Sequence, residues 1–451
     1  MSKNIRISRG ANIKIKGSAE KILTDVSSVK SCAIKPGNFF NSILKMFVKE
    51  GEKVSLGAPI CYEKNDPRII FVSPASGIVK QIIRGERRKI LEIIIELNLS
   101  NEDKISHKVD NFKSLTPDKI KSLLLESGSW PFIRQRPFNV LADPDILPKS
   151  IHISTVSSVP LGVDYEFIVK NNKEDFQLGI DILNTLLPGE VNLFIDKDFG
   201  GFFSKVKNVN SFHISGPHPA GNVSVQIQKT DPINYGEKVW VVRPEDVVNI
   251  GVLFSTGVYS CQRTIAVSGS PVSNPQYFKT IIGSSLSSFL KKVNIDLTSQ
   301  NRYINGDIFS GIEVRQDGHI DFYNNLVSII PEGNNYRFFG WVPFIDNRIP
   351  SLSKTSLSCF FGGKGYEVDT NLNGEERALV VTGEMEKVFP MNIYPMQLIK
   401  ACMAGDIDKM EGLGIYEVVP EDFGLIDYSN TSKIEAQEII REGIELMIKE
   451  T

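Results

Sequence analysis

The chain has 451 residues, 41% of them apolar, and a formal net charge of −2, enough for about three ordinary domains each with its own core. The charge is unevenly placed: residues 1–140 carry 25 Lys and Arg against 14 Asp and Glu, and the remainder 26 against 39, so a basic end stands ready for an anionic surface or an acidic partner. Without aromatic-interleaved basic runs, an apolar run near the roughly 18 residues of a membrane span, or the apolar core of a signal peptide, the sequence excludes a nucleic-acid binder, an integral membrane protein and a secreted one.

Residues 1–100 read as a basic, β-rich module. Gly51 and Gly57 stand six apart among short apolar segments (Met46, Val48; Val54, Leu56; Ala58, Ile60), the pattern of strands joined by tight turns. Ser73-Pro-Ala-Ser-Gly77 repeats the idea before Ile78–Ile83, and Lys89–Glu96 closes the module as a strand buried on at least one face. Gly51 and Gly77 are expected as turn residues. The two halves resemble the barrel-sandwich hybrid of biotinyl and lipoyl carriers. The hairpin position that holds the modified lysine in such carriers falls on Pro67, three residues after Lys64. Proline has no amine, so the module is expected to dock rather than carry a swinging arm.

Asn98–Asp110 is polar and reads as a linker. A helix follows, with Thr116 as N-cap, Pro117 at the first helical position, Ile120, Leu123 and Leu124 on one face and Gly128 as the stop. Trp130–Phe138 reads as a loop dense in aromatics and arginines. From Ser150 strands and helices alternate: strands at Ile151–Thr155, Val191–Ile195 and Val239–Val242, helices at Phe176–Leu187 and Pro244–Phe254, and a turn at Gly216–Gly221 after the strand beginning at Phe212. Such alternation predicts a parallel sheet of Rossmann type over residues 101–260, with ligands at the loops after the strands' carboxyl ends.

Residues 261–375 read as a β-grasp unit, with strands at Cys261–Gly269 and Tyr277–Ile282, a helix at Ser284–Lys292, a return through Arg302–Gly311, β-type segments to Phe344, and glycine-rich loops at Phe361–Gly365 and Leu372–Gly374. Residues 376–451 turn helical. Pro395 opens a helix that Gly405 stops, Asp406 caps a short one ending at Gly412, and Ser432-Lys-Ile-Glu435 forms a capping box for the last.

Chemistry-bearing constellations are few. Cys32, Cys61, Cys261, Cys359 and Cys402 show no C-x-x-C spacing and an odd count, which supports neither zinc, nor iron–sulfur, nor a disulfide framework. His213 and His218 flank a turn without a third ligand at metal spacing, and Gly216-Pro-His-Pro-Ala-Gly221 lacks the spacing of known phosphate loops. No G-x-S-x-G elbow supports a hydrolase. Trp130, Phe132, Arg134, Arg136 and Phe138 admit two readings. Apolar walls with cationic donors suit a planar quinone whose carbonyls accept hydrogen bonds; alternatively the aromatics fill an interdomain core and the arginines pair with acids.

The module order, together with Phe71–Gly77, Arg84-Gly-Glu-Arg87, Arg134-Gln-Arg-Pro-Phe138, Gly216–Gly221, Asn274-Pro275, Phe339-Gly-Trp341, Gly374-Glu-Glu-Arg-Ala378 and Pro390–Pro395, resembles the NqrA subunits of the bacterial Na+-translocating NADH:quinone oxidoreductases (Na+-NQR) along essentially the full chain. More distantly it is similar to the RnfC subunits of Rnf complexes and the NADH-binding subunit of complex I. The resemblance implies an α+β multidomain chain: a barrel-sandwich hybrid, a Rossmann-like domain, a β-grasp (SLBB-like) domain and a helical domain of ferredoxin type. It implies a peripheral subunit on the cytoplasmic face of the bacterial inner membrane, in a six-subunit complex with membrane subunits. That complex oxidises NADH, passes electrons through flavins and an iron–sulfur centre, reduces quinone and exports Na+.

The cousins differ in what they grip. Where their glycine-rich loop holds flavin and NADH, this chain has Trp130–Phe138, and where their tails hold clusters it has Val388–Ile393 and Leu425–Lys433 without cysteine. A subunit without its own redox cofactor or catalytic residues is therefore expected, with a quinone seat at Trp130–Phe138. The rivals are an FMN- and NADH-binding electron-transfer subunit, and a lipoyl or biotin carrier modified at Lys64.

Overall fold

The computed structural model describes residues 3–26, 29–97, 103–109, 115–198, 201–296, 300–333, 350–352 and 365–450. Cys359, the string at Phe339–Trp341, the β-type segments beyond residue 333, the Phe361–Gly365 loop up to its last residue, and positions 98–102 and 110 of the linker lie outside them. The chain begins by lending two strands to distant sheets. β1 (Lys3–Arg6) runs parallel to the strand at Asn210–Ser215, with Ile5 beside Ile214, and β2 (Glu20–Asp25) runs parallel to the strand at Gln276–Ile281. Both are mostly exposed, as polar segments must be if they add hydrogen bonds at an edge without burying a face. Two strands of the expected 1–100 module are thus used elsewhere.

β3 (Ser31–Ile34), β4 (Leu44–Met46), β5 (Lys53–Val54), β6 (Pro59–Glu63), β7 (Ile70–Val72), β8 (Gly77–Arg84) and β9 (Ile90–Leu97) form two antiparallel sheets ordered β3-β9-β8-β5 and β4-β6-β7. Cys32, Ile60, Cys61, Phe71, Val79, Ile93 and Ile95 are buried in their core. Gly51 and Gly57 turn the chain at φ +86° and +83°. Gly77 does not, contrary to expectation: it opens β8, and a Cβ there would lie 2.2 Å from the Glu96 carbonyl oxygen, so close approach of two strands requires the glycine. Lys64 and Pro67 sit exposed on the hairpin between β6 and β7.

α1 (Pro117–Glu126) starts as the sequence indicates, the Thr116 hydroxyl accepting from Lys119 N. Then follow β10 (Ile133–Arg136), β11 (Val140–Leu141), β12 (Ile151–Ser154), α2 (Tyr165–Val169), α3 (Lys173–Leu186), β13 (Val191–Asp196), β14 (Asn210–Ser215), α4 (Val223–Thr230), β15 (Val239–Val242) and α5 (Pro244–Thr256). The sheet order is β1-β14-β13-β12-β15-β10-β11. Its first five strands are parallel, but β10 runs antiparallel to β15 and β11 antiparallel to β10, so the sheet is mixed and the expected loop contains a strand. Val191, Leu193 and Ile195 of β13 face the core with α3 and α5, while Phe194 faces the other side with α4. Burial on both faces explains the continuous apolar runs.

β16 (Gln262–Ser268), β17 (Gln276–Ile281), α6 (Ser287–Leu290), β18 (Asn301–Asn305), β19 (Ile312–Glu313) and β20 (Leu326–Pro331) build a third sheet, β19-β18-β20-β16-β17-β2. The helix expected over Ser284–Lys292 shrinks to one turn because Ser285 N donates to Ser31 O and Leu286 N to Gly318 O; those amides bind the neighbouring units instead of a helix. In the tail, α7 (Glu384–Val388), α8 (Pro395–Ala404), α9 (Ile407–Gly412), α10 (Gly424–Ser429) and α11 (Ala436–Glu450) include the two helices bounded by Gly405 and Asp406. The last cap differs from the expected box. Asp427 of α10 accepts from Ala436 N (2.6 Å) and Gln437 N (3.3 Å), while the Ser432 hydroxyl donates to Ala378 O. The tail shares one core with the second face of the α/β sheet: Met396, Leu398, Phe423, Ile440 and Ile444 pack in the cluster of Phe194, Phe212 and Ile214.

Candidate functional site

Strand order reverses at β12, with β13 and β14 on one side and β15 on the other. Connections leaving the carboxyl ends of β12 and β15 therefore diverge and open a crevice, the usual ligand position in such sheets. A cavity of about 390 Å3 lies there. Ser154 ends β12 and Arg243 directly follows β15, the two strands that flank it, Tyr323 and Asp307 close it from the third unit, and Glu421 borders it from the tail.

The five residues expected to form a site divide. Trp130 is fully buried, donates from Nε1 to Ala142 O at 2.7 Å and meets the Trp240 ring edge-on at 5.5 Å. Phe132 stacks on Tyr259 at 5.8 Å and leans on Phe322. Both belong to the core and neither lines the cavity. Arg136 does not line it either: its Nη2 pairs with Glu421 at 3.2 Å, and its buried Nε and Nη1 meet no partner among the described residues. Arg134 and Phe138 do line the cavity. Alternation along β10 puts Arg134 and Arg136 on the same face, away from Ile133, and there Arg136 turns to Glu421.

Arg134 is 8% exposed, and its guanidinium carbon sits 4.7 Å over the Tyr323 ring. Among the described residues its guanidinium makes no hydrogen bond or ion pair. Burial, with Arg243 nearby, pulls its pKa down to about 10. The ring offsets up to about 2 kcal/mol of this, against a cost of several kcal/mol for a buried unpaired ion. Arg243 donates from Nη1 to the Tyr323 carbonyl oxygen, and its guanidinium lies 5.9 Å from the same ring. Tyr323 is fixed in turn by its hydroxyl, which donates to Pro131 O at 2.6 Å.

His218, on the opposite wall, is 2% exposed, stacks on Phe309 and is held by burial at a pKa down to about 4, neutral at pH 7. Ser158 Oγ accepts from Gly221 N at 2.7 Å and lies 3.1 Å from His218 Nδ1, within hydrogen-bond distance of the ring. The Gly216–Gly221 turn is no phosphate cradle: His218 N donates to Asn12, Ala220 N to Pro217 O and Gly221 N to Ser158. Among the described residues no group of three His, Cys, Asp or Glu side chains is placed to hold a metal.

The cavity thus offers a planar aromatic wall, two guanidinium groups that bond to no carboxylate among the described residues although Glu421 lies near both, and a neutral imidazole, an arrangement that recognises a flat acceptor or an anion. Sequence reading missed Arg243, Tyr323 and Glu421. Arg243 alone had a local signal, a charged residue closing the apolar strand Val239–Val242.

Three family models match the chain in order: one described as the NqrA N-terminal barrel-sandwich hybrid domain at residues 5–98, one as the NqrA second alpha/beta domain at 115–259, and one as the NQRA C-terminal domain at 264–316. Among curated proteins, the chain is similar to the A subunit of the Na(+)-translocating NADH-quinone reductase of Neisseria gonorrhoeae, 30% identical over 449 residues, which cover 99% of this chain and 100% of that protein. The proteins of the same description from Pasteurella multocida and Haemophilus influenzae are each 31% identical at the same coverage.

Proposed function

Because the chain belongs to the NqrA family of Na(+)-translocating NADH-quinone reductase subunits, we propose that it works at the quinone-reducing end of such a complex, as a peripheral subunit on the cytoplasmic side. It is a subunit of an oxidoreductase complex, and the other subunits are its partners. On our reading there are six subunits, with NADH oxidation, flavins and the iron–sulfur centre residing on the others. Its finer domain identities are Rossmann-like, β-grasp (SLBB-like) and a ferredoxin-type tail without cluster cysteines. No helix among the described residues is long and apolar enough to cross a membrane, which supports attachment through membrane subunits.

The observation that carries the site is the pair Arg134 and Arg243 against Tyr323 at the strand-order reversal. Guanidinium N–H groups would bind quinone carbonyls while Phe138 and Tyr323 flank the ring. Loss of one charge-assisted hydrogen bond weakens binding about tenfold or more. In the assembled complex, Arg134→Gln and Phe138→Ala should each raise the quinone KM by that factor, and an unchanged quinone KM removes the site. The visible spectrum of the purified chain tests the second part: flavin or iron–sulfur absorbance at stoichiometric level would overturn a cofactor-free subunit.

A further inference from the structure

We infer that the cavity at the β12–β15 crevice contains an oxyanion seat, in which the guanidinium of Arg134, seconded by that of Arg243, receives the phosphate group of a small ligand. Three observations carry this. First, Arg134 is more than nine-tenths buried, lines the cavity, and has no acid or hydrogen-bond acceptor among the described residues. A buried cation is ordinarily paired, and one left unpaired against open space is matched to a charge that arrives from outside.

Second, the nearby acids are engaged elsewhere. Glu421 is bonded to Arg136, Asp307 accepts from Phe309 N and Ser310 N, Asp321 pairs with Lys35, and Glu245 and Asp246 serve Arg263. Among the described residues none of them hydrogen-bonds to Arg134, and Glu421 acts on it and on Arg243 only through space. Third, Arg243 brings a second guanidinium to the same tyrosine ring and, among the described residues, has only a carbonyl oxygen as acceptor. Two like charges on one ring repel each other in the empty cavity, and both relax when a doubly charged oxyanion lies between them. The volume of about 390 Å3 admits a ligand of nucleoside monophosphate size as well as free phosphate.

This inference is independent of the quinone reading, although both ligands would occupy one cavity. The test uses the full chain in chloride buffer at fixed ionic strength, with inorganic phosphate, AMP and uncharged adenosine as probes. Calorimetric titration gives affinity and thermal unfolding gives stability. Phosphate and AMP should bind and raise Tm while adenosine does neither; binding of AMP alone identifies a nucleotide, and equal binding of phosphate identifies the free ion. Arg134→Met should weaken AMP or phosphate at least about tenfold and, by removing an unpaired buried charge, raise the Tm of the ligand-free chain. Arg243→Met serves as the second variant should the first not fold, with the same loss of affinity.

No binding of phosphate or AMP above the chloride background, affinity kept in both variants, or a lower ligand-free Tm in Arg134→Met would each overturn the seat. If Arg134→Met loses the oxyanion but leaves the quinone KM of the assembled complex unchanged, the seat stands and the quinone assignment falls; the reverse result removes the seat alone.

Discussion

Replacing Arg263 with Met removes the one cation in a fully buried ionic cluster. Arg263 and Asp246 are both 0% exposed, and Arg263 Nη2 lies 2.7 Å from Asp246 Oδ1 and 2.9 Å from the Phe322 carbonyl oxygen, with Nη1 3.6 Å from Glu245 Oε2. The cluster joins the start of α5 to β16 and the loop before β20, so it ties the second unit to the third. Glu245 also accepts from Thr264 N and Asn325 Nδ2, whereas Asp246 Oδ2 has no partner among the described residues. Methionine matches the stem of arginine in shape and leaves Asp246 buried beside Glu245 without compensation. Loss of one partner of a buried pair costs about 3–5 kcal/mol. Urea unfolding of the purified protein, followed by tryptophan fluorescence, should show a drop of that size. The deficit should be smaller at pH 5 than at pH 8, because burial already raises the Glu245 pKa and, without Arg263 beside it, that carboxylate can take up a proton. Adding Asp246→Leu to Arg263→Met should restore more than half of it. A drop below about 1 kcal/mol at pH 8, or one that does not vary with pH, would refute the view that the cluster is held by charge pairing.

Burial depresses the His218 pKa from 6.5 to about 4, so its contribution to stability is fully present above pH 6.5 and is lost as pH falls through about 4, amounting to about 3 kcal/mol. The stability of the natural chain relative to His218→Gln, measured by denaturant midpoints from pH 7 to pH 4, should fall by that amount, and a flat difference would contradict it. His319→Ala should loosen the seam between the first and third units. His319 Nδ1 lies 2.7 Å from Glu92 Oε1 and Nε2 3.0 Å from Ser31 Oγ, and leaving Glu92 without its partner should cost about 1–3 kcal/mol, read as an earlier unfolding midpoint. Unchanged stability would show the contact to be incidental.

Much of the local structure was legible in short stretches. Thr116-Pro117 announced α1, Gly405 and Asp406 separated α8 from α9, and the apolar runs at Ile151, Val191 and Val239 became strands where expected. These signals act over a few residues, through a cap bonding the next turn or a run of β-branched side chains. The family too was legible, because its strings are local. The site was legible only in part. Of Trp130, Phe132, Arg134, Arg136 and Phe138, the cavity receives Arg134 and Phe138, since a stretch dense in aromatics and arginines looks the same whether it forms a loop or a buried strand.

The sequence alone determined the start of α1, the boundary between α8 and α9, the strands at Ile151, Val191 and Val239, and which family the strings resemble, because each depends on backbone and side-chain preferences acting within a turn or two. Tertiary structure decided that β1 and β2 leave the first module, that Asp427 rather than Ser432 caps α11, and that Arg134 meets Tyr323 and Arg243. Those outcomes follow from which surfaces exclude water together, and burial couples residues by distance in space, with no imprint at either position in the chain.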